Sequence, residues 1–250
     1  MKLAEKQTSN LPIRAGLLNV IVASALIAGA ALQADAQDDW ARWRGPTGNG
    51  VAAESQQPLA KWSGEDDIVW KVKVPGRGHS SPIIVGDKIF LTTADTESAV
   101  QSALCYDRKN GEQLWEKEIS TGGFRKRIHA NNSYASSTVA TDRESIFVVF
   151  SHHDQIELVS LTLMGDENWR KIVGAYKPKY DFGYGASPIT YQDKVIVSNE
   201  NINEGGIFAF NKKTGKQVWK IDRGTTTSWS TPVVAKLDGK DQLLISGGES

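Results

Sequence analysis

The sequence predicts an all-β chain built from four-stranded blades of a β-propeller. Three observations carry this: tryptophans recurring at blade-length intervals, a Gly-x-x-x-Trp hairpin repeated around them, and a second apolar hairpin after each tryptophan. The tryptophans are Trp70, Trp115, Trp169 and Trp219, separated by 45, 54 and 50 residues. A period near 40–50 residues is what one four-stranded blade per repeat produces.

The first hairpin is clearest in Asp107-Arg-Lys-Asn-Gly111-Glu-Gln-Leu-Trp115 and Asn211-Lys-Lys-Thr-Gly215-Lys-Gln-Val-Trp219, whose spacing is identical. Leu161-Thr-Leu-Met-Gly165-Asp-Glu-Asn-Trp169 is a degenerate copy. Each is preceded by an apolar run (SALCY, ELVSL, GIFAF) and followed by a strand that starts at the tryptophan. The glycine falls in a short polar loop, where a positive φ costs it little. The tryptophan is expected to pack between adjacent blades, burying on the order of 200 Å² of ring.

The second hairpin reads HSSPIIVGDKIFLTT at 79–93, ASSTVATDRESIFVVF at 135–150, GASPITYQDKVIVSNE at 185–200 and STPVVAKLDGKDQLLISG at 230–247. Each copy has a Ser-Pro or Ser-Thr step, an apolar strand, a polar turn with Asp87, Asp142, Asp193 or Asp238, and a second apolar strand. Proline suits the first residue of a strand, where its missing N–H is least needed. Two hairpins per period give four strands per period. After residue 40 no sustained 3.6-residue periodicity argues for helices.

The N-terminus follows a different logic. Lys2, Lys6 and Arg14 precede an apolar run at 15–32, and Ala34-Asp35-Ala36 follows it. Positive flank, apolar run and small-residue site, in that order, are those of a secretory signal peptide over residues 1–36, cleaved after Ala36. An uncleaved anchor is the alternative. The expected location is periplasmic or secreted, with repeats filling residues 37–250.

Composition excludes several function classes. Lys plus Arg and Asp plus Glu are both 29, so no basic excess points to nucleic acid. The single cysteine, Cys105, rules out an intramolecular disulfide and reads as a small buried strand residue. No nucleophile elbow, H-E-x-x-H site or phosphate loop occurs. His152 and His153 are expected on a solvated turn, facing opposite ways and unable to grip one metal. Asp66 and Asp67 are expected in a solvated turn before a strand IVWKV.

A candidate ligand-binding rim remains. His79 and His129 each precede a Ser-Ser step in successive repeats. Asn131 and Asn132 join His129, and Trp229 precedes the fourth step. Arg77, Arg125, Lys126 and Arg127 would make this rim basic. A concave mouth of histidine, asparagine and arginine suits an anionic or hydroxyl-rich ligand. No catalytic and no metal-ligating residue is assigned.

These hairpins resemble the pyrroloquinoline-quinone-like propeller repeat. Trp40-Ala-Arg-Trp43-Arg44-Gly45-Pro46-Thr-Gly48-Asn49-Gly50 is similar to the start of exported bacterial members, as are Gly76-Arg-Gly78-His79-Ser80-Ser81-Pro82 and His129-Ala-Asn131-Asn132-Ser-Tyr-Ala135-Ser136-Ser137. The resemblance covers roughly residues 40–250 and implies rings of seven or eight blades. About four blades fit in this sequence, so a fragment of such a ring is expected. A closed four-bladed ring and a half-ring completed by a second chain are the alternatives.

For function, the resemblance implies a noncatalytic binding or scaffold module, like the propeller lipoprotein of the outer-membrane assembly machinery, with an envelope protein or a small polar ligand as partner. That lipoprotein's lipidated cysteine is absent here. The resemblance equally admits a dehydrogenase of alcohols or sugars using pyrroloquinoline quinone with calcium, whose adjacent-cysteine disulfide this chain lacks. A polysaccharide-binding propeller is the third reading.

Overall fold

The computed structural model describes residues 39–54, 56, 59–201, 205–223 and 227–247. The expected export segment, residues 1–36, lies outside the described residues. From Asp39 onward the chain forms one compact unit of four antiparallel sheets in series.

The first sheet contains β1 (Ile83–Val85), β2 (Lys88–Asp95), β3 (Val100–Asp107) and β4 (Gln113–Thr121). The second contains β5 (Ala140–Thr141), β6 (Ser145–His152), β7 (Gln155–Thr162) and β8 (Glu167–Ala175). The third contains β9 (Ile189–Tyr191), β10 (Lys194–Asn199), β11 (Gly206–Asn211) and β12 (Gln217–Asp222). The fourth pairs β13 (Val233–Leu237) with β14 (Lys240–Leu244). Every sheet is a meander of neighbours in chain order, as the two-hairpin repeat predicts. Among the described residues the series is open rather than closed into a ring.

The core lies between the sheets. One buried cluster joins Phe90 and Cys105 of the first blade to Val148 and Leu161 of the second. Another joins Phe147 and Leu158 to Val197 and Phe208 of the third. A sheet hydrophobic on both faces stays stable only with a neighbour on each side, so burial is shared blade to blade.

Two repeated contacts set how the blades meet. The first is on the outer strands. Beside each tryptophan the β-ladder shifts register by one residue, at Cys105/Tyr106, Ser160/Leu161 and Ala209/Phe210. Such a bulge re-aims the side chains next to it. Trp115, Trp169 and Trp219 lie opposite Cys105, Ser160 and Ala209, a small residue in every case. Cys105 is therefore the small residue of its repeat; it is fully buried, and burial pushes its thiol pKa up to about 12.

The indoles of Trp70, Trp115 and Trp169 close on the hairpin glycine of the blade that follows. Gly111, Gly165 and Gly215 have φ of 74°, 90° and 65°. A Cβ on them would lie 2.6 Å from Trp70, 3.0 Å from Trp115 and 2.7 Å from Trp169. The indole N–H groups donate to backbone carbonyls of the same loops: Trp70 to Arg108 at 2.9 Å, Trp115 to Leu163 at 3.2 Å, Trp169 to Lys212 at 2.9 Å.

The second contact is on the inner side. The backbone N–H of Ser81 donates to the Thr138 hydroxyl (2.9 Å), that of Thr138 to the Ser187 hydroxyl (3.0 Å), and that of Ser187 to the Thr231 hydroxyl (2.9 Å). All four residues stand two positions before the first ladder residue of an inner strand. The Ser-Pro and Ser-Thr steps of the sequence are thus a relay from blade to blade. In the second blade the relay residue is Thr138, not Ser137, and Val139 takes the proline's place.

Two expectations come out differently. The run IVWKV forms no ladder among the described residues; Val69 is 88% exposed, while Trp70 and Val72 lie against Gly111. His152 is buried rather than solvated. His153 and Asp154 form a tight turn with φ of 47° and 55°, which brings the two imidazole Nδ1 atoms to 2.9 Å. His152 Nε2 lies 3.1 Å from the Glu157 carboxylate, which also faces Arg170 at 3.4 Å. Asp66 and Asp67 do cap an exposed turn, accepting from Ser63.

Gly215→Ala is expected to destabilise the chain by about 2 kcal/mol or more, combining left-handed backbone strain with overlap on Trp169. Gly239→Ala, at φ 76° with open space around it, isolates the strain alone and is expected to cost less. Urea unfolding of the two variants measures the difference. Native Cys105 is expected to resist alkylation by iodoacetamide at pH 8 and to react once unfolded, since burial disfavours the thiolate nucleophile. Mass spectrometry with and without denaturant checks this.

Candidate ligand funnel

The inner ends of the blades surround a cavity of about 1440 Å³. Its wall repeats because the relay repeats: Ser81, Thr138, Ser187 and Thr231 all line it. The hydroxyls of Thr138, Ser187 and Thr231 each accept from the preceding blade. An accepting hydroxyl keeps its own proton to donate; the partly exposed Thr231 offers it to the cavity, while Thr138 and Ser187 are 2% and 3% exposed and sit just beneath the wall surface.

The segment Trp40–Gly50 crosses the inner strands of all four blades. Trp40 pairs with Ile84, Thr141 N–H donates to the Ala41 carbonyl at 3.0 Å, the Arg42 guanidinium donates to the Thr190 carbonyl at 3.2 Å, and Gly48 approaches Val233. Arg42 further ties the segment's own carbonyls at Gly45 and Pro46. Gly45 has φ 76° and lies against the Trp40 ring, which leaves no room for a side chain. This placement puts Trp43, Arg44 and Asn49 in the cavity wall opposite His79 and Trp229.

The electrostatics are one-sided. Arg44, Arg223 and Lys236 line the cavity, and among the described residues no carboxylate does. Glu200, the partner of Arg223 at 2.7 Å, has a side chain only 2% exposed. The apolar part of the wall comes from β13 and β14, through Val233, Val234 and Leu243.

At the mouth the five expected rim residues separate by role. His79 and Trp229 line the cavity. His129 is exposed beside it, its ring 5.7 Å from Phe182 and its Nδ1 accepting from the Asn131 N–H. The Asn131 residue itself is exposed. The Asn132 amide is engaged: it donates to the Phe182 carbonyl and accepts from Ser133 N–H and the Ser136 hydroxyl. It ties the 129–132 loop to the 181–183 loop, which the His129 N–H reinforces by donating to the Asp181 carbonyl. Among the basic residues, Arg77 holds the Ala130 carbonyl at 2.7 Å and Arg125 pairs with Asp154 and Asp181.

The 180–183 loop adds what the sequence did not announce. Tyr180 and Phe182 stack at 5.4 Å, Phe182 meets Trp229 at 5.4 Å, and Trp229 Nε1–H donates to the Gly183 carbonyl at 2.8 Å. Gly183 has φ 82°, and a Cβ there would strike Ile128 at 2.6 Å. Tyr180 and Phe182 are each 46% exposed, giving the mouth an aromatic lip that leads through Trp229 into the cavity. The signal was available in Tyr180-Asp-Phe-Gly-Tyr184, but this irregular loop follows no repeat.

A model of the family described as PQQ_2, outer membrane protein assembly factor BamB, matches residues 45–121 and 101–250. No curated protein matches the chain. Among solved structures, the quinohemoprotein alcohol dehydrogenase from Comamonas testosteroni is 16% identical over 73% of this chain and 27% of its own, with TM-score 0.49. BamB from Moraxella catarrhalis is 16% identical over 72% of this chain and 62% of its own, with TM-score 0.32. A europium-containing methanol dehydrogenase is 21% identical over 58% of this chain and 24% of its own, with TM-score 0.41. The chain thus spans about a quarter of these dehydrogenases' length.

With Arg44 and Lys236 on its wall outside any described ion pair, and no carboxylate among the described lining residues, the cavity is expected to draw in anions. At low ionic strength iodide should quench tryptophan fluorescence more strongly than caesium, and the gap should shrink in Trp229→Phe and with added salt. Stern–Volmer titrations measure it.

Proposed function

The chain belongs to the outer membrane protein assembly factor BamB (PQQ_2) propeller family, and on that premise we propose that it is a noncatalytic binding module of the cell envelope. The observation that carries this is the funnel wall, which offers hydroxyls and cations but, among the described residues, no carboxylate. General acid–base work needs a group that takes up and releases a proton near neutrality. Arginine and lysine do not do this unperturbed, and His79 is the one ordinary candidate on the wall. The wall suits holding an anionic or oxygen-rich group of a ligand or partner. The family description and the export-type residues 1–36 support an envelope location, periplasmic or secreted.

Pyrroloquinoline quinone with calcium, which the dehydrogenase reading requires, does not fit these residues. Calcium takes six to eight oxygen ligands, carboxylates prominent among them. The cavity is instead lined by guanidinium, ammonium and hydroxyl groups and, among the described residues, by no carboxylate. Nor does an adjacent-cysteine disulfide have a place, since Cys105 is the only cysteine and is buried opposite Trp115.

The test is incubation of the chain with pyrroloquinoline quinone and calcium, absorbance after dialysis, and dye-linked oxidation of alcohols and aldoses. Neither retained quinone nor turnover is expected. Retained quinone with substrate-dependent dye reduction would overturn the binding-module reading.

A further inference from the structure

We propose that the funnel and its aromatic lip form a site for an anionic glycan, a chain of pyranose units carrying carboxylate or sulfate groups. This rests on the binding-module reading and names its ligand class. Three features converge on it.

The first is the lip. Tyr180, Phe182 and Trp229 run in series at 5.4 Å intervals, with Tyr180 and Phe182 nearly half exposed. Exposed rings in a row at a cavity mouth are costly to hydrate and mark a contact surface. The electron-rich ring face attracts the polarised C–H face of a pyranose, and successive rings offer platforms to successive sugars.

The second is the wall beyond Trp229. Its hydroxyls recur from blade to blade, with the partly exposed Ser81, Ser230 and Thr231 at the surface and the buried Thr138 and Ser187 of the relay between them. A repeating polyol matches a repeating set of hydroxyls. An extended peptide is held instead by a run of backbone groups along one strand edge, which these side chains from separate blades do not supply.

The third is charge. Arg44 and Lys236 line the cavity outside any described ion pair, Arg223 being matched by Glu200, with no described carboxylate among the lining, and the Lys179 ammonium sits 5.4 Å from the Tyr180 ring at the lip's far end. Cations at both ends of an aromatic run select an acidic glycan over a neutral one.

Affinity electrophoresis and calorimetry of the chain against a polyuronate, a sulfated glucan, neutral dextran and polyglutamate test this. Binding is expected for the polyuronate or the sulfated glucan, weakened by salt, and absent for dextran and polyglutamate. Tyr180→Ala and Phe182→Ala, at exposed positions, and Arg44→Gln are each expected to weaken it at least tenfold while the thermal transition stays in place. Equal binding of polyglutamate would reassign the site to acidic peptides, and equal binding of dextran would remove the role of charge. Binding of no anionic glycan, or full binding by both aromatic variants, would overturn the assignment. Any of these leaves the binding-module reading standing, because that reading falls only to quinone retention with turnover.

Discussion

Each blade of this protein is completed by a residue that belongs to its neighbour. The indole on one outer strand reaches the hairpin glycine of the next blade, and its N–H takes a carbonyl of that same loop. Everything nearer the centre follows from this register. With the outer edges fixed, the inner N–H groups of Ser81, Thr138 and Ser187 meet hydroxyls one blade onward. The glycine has no substitute, because a positive φ and ring contact coincide at one atom. The bulge beside the tryptophan and the small residue across from it exist to let the indole leave its own sheet.

The funnel is a by-product of the inner relay as much as a designed cavity. Hydroxyls used as acceptors by backbone N–H groups are held in place, and the proton each retains points away from the bond it accepts. At the Thr231 hydroxyl the stabilising contact and the binding surface are thus the same atoms. The Trp40–Gly50 segment then converts an open row of blades into a walled cavity by bonding to the first three and packing on the fourth. Arg44 enters the site only through that crossing.

What the sequence made legible was whatever repeats. Gly111, Gly165 and Gly215 with their tryptophans announced the hairpins, and Ser-Pro steps announced the inner strands. The relay was hidden because a serine before a strand looks like a turn residue, and the Ser137–Thr138 pair obscured which hydroxyl is equivalent. His79 and Trp229 were findable because each stands two residues before a repeated step, whereas His129 lies further upstream of its own and was found for its chemistry. Tyr180 and Phe182 were not findable, since their loop has no counterpart in other blades. Asn132 was found for its chemistry yet serves to tie two loops. His152 and His153 show the limit of strand alternation: two residues of opposite face become neighbours once a tight turn falls between them.

The relay also has a direction. Every relay donor lies in the earlier blade and every relay acceptor in the later one, and the indoles of Trp70, Trp115 and Trp169 likewise point forward. A row of blades therefore has a head and a tail with unlike faces. Contacts between such faces are heterologous: they propagate by a fixed rotation and end only when the rotation returns to its start. Two like faces would set donor against donor or acceptor against acceptor, so the relay continues only where a head meets a tail, and its handedness is carried from blade to blade.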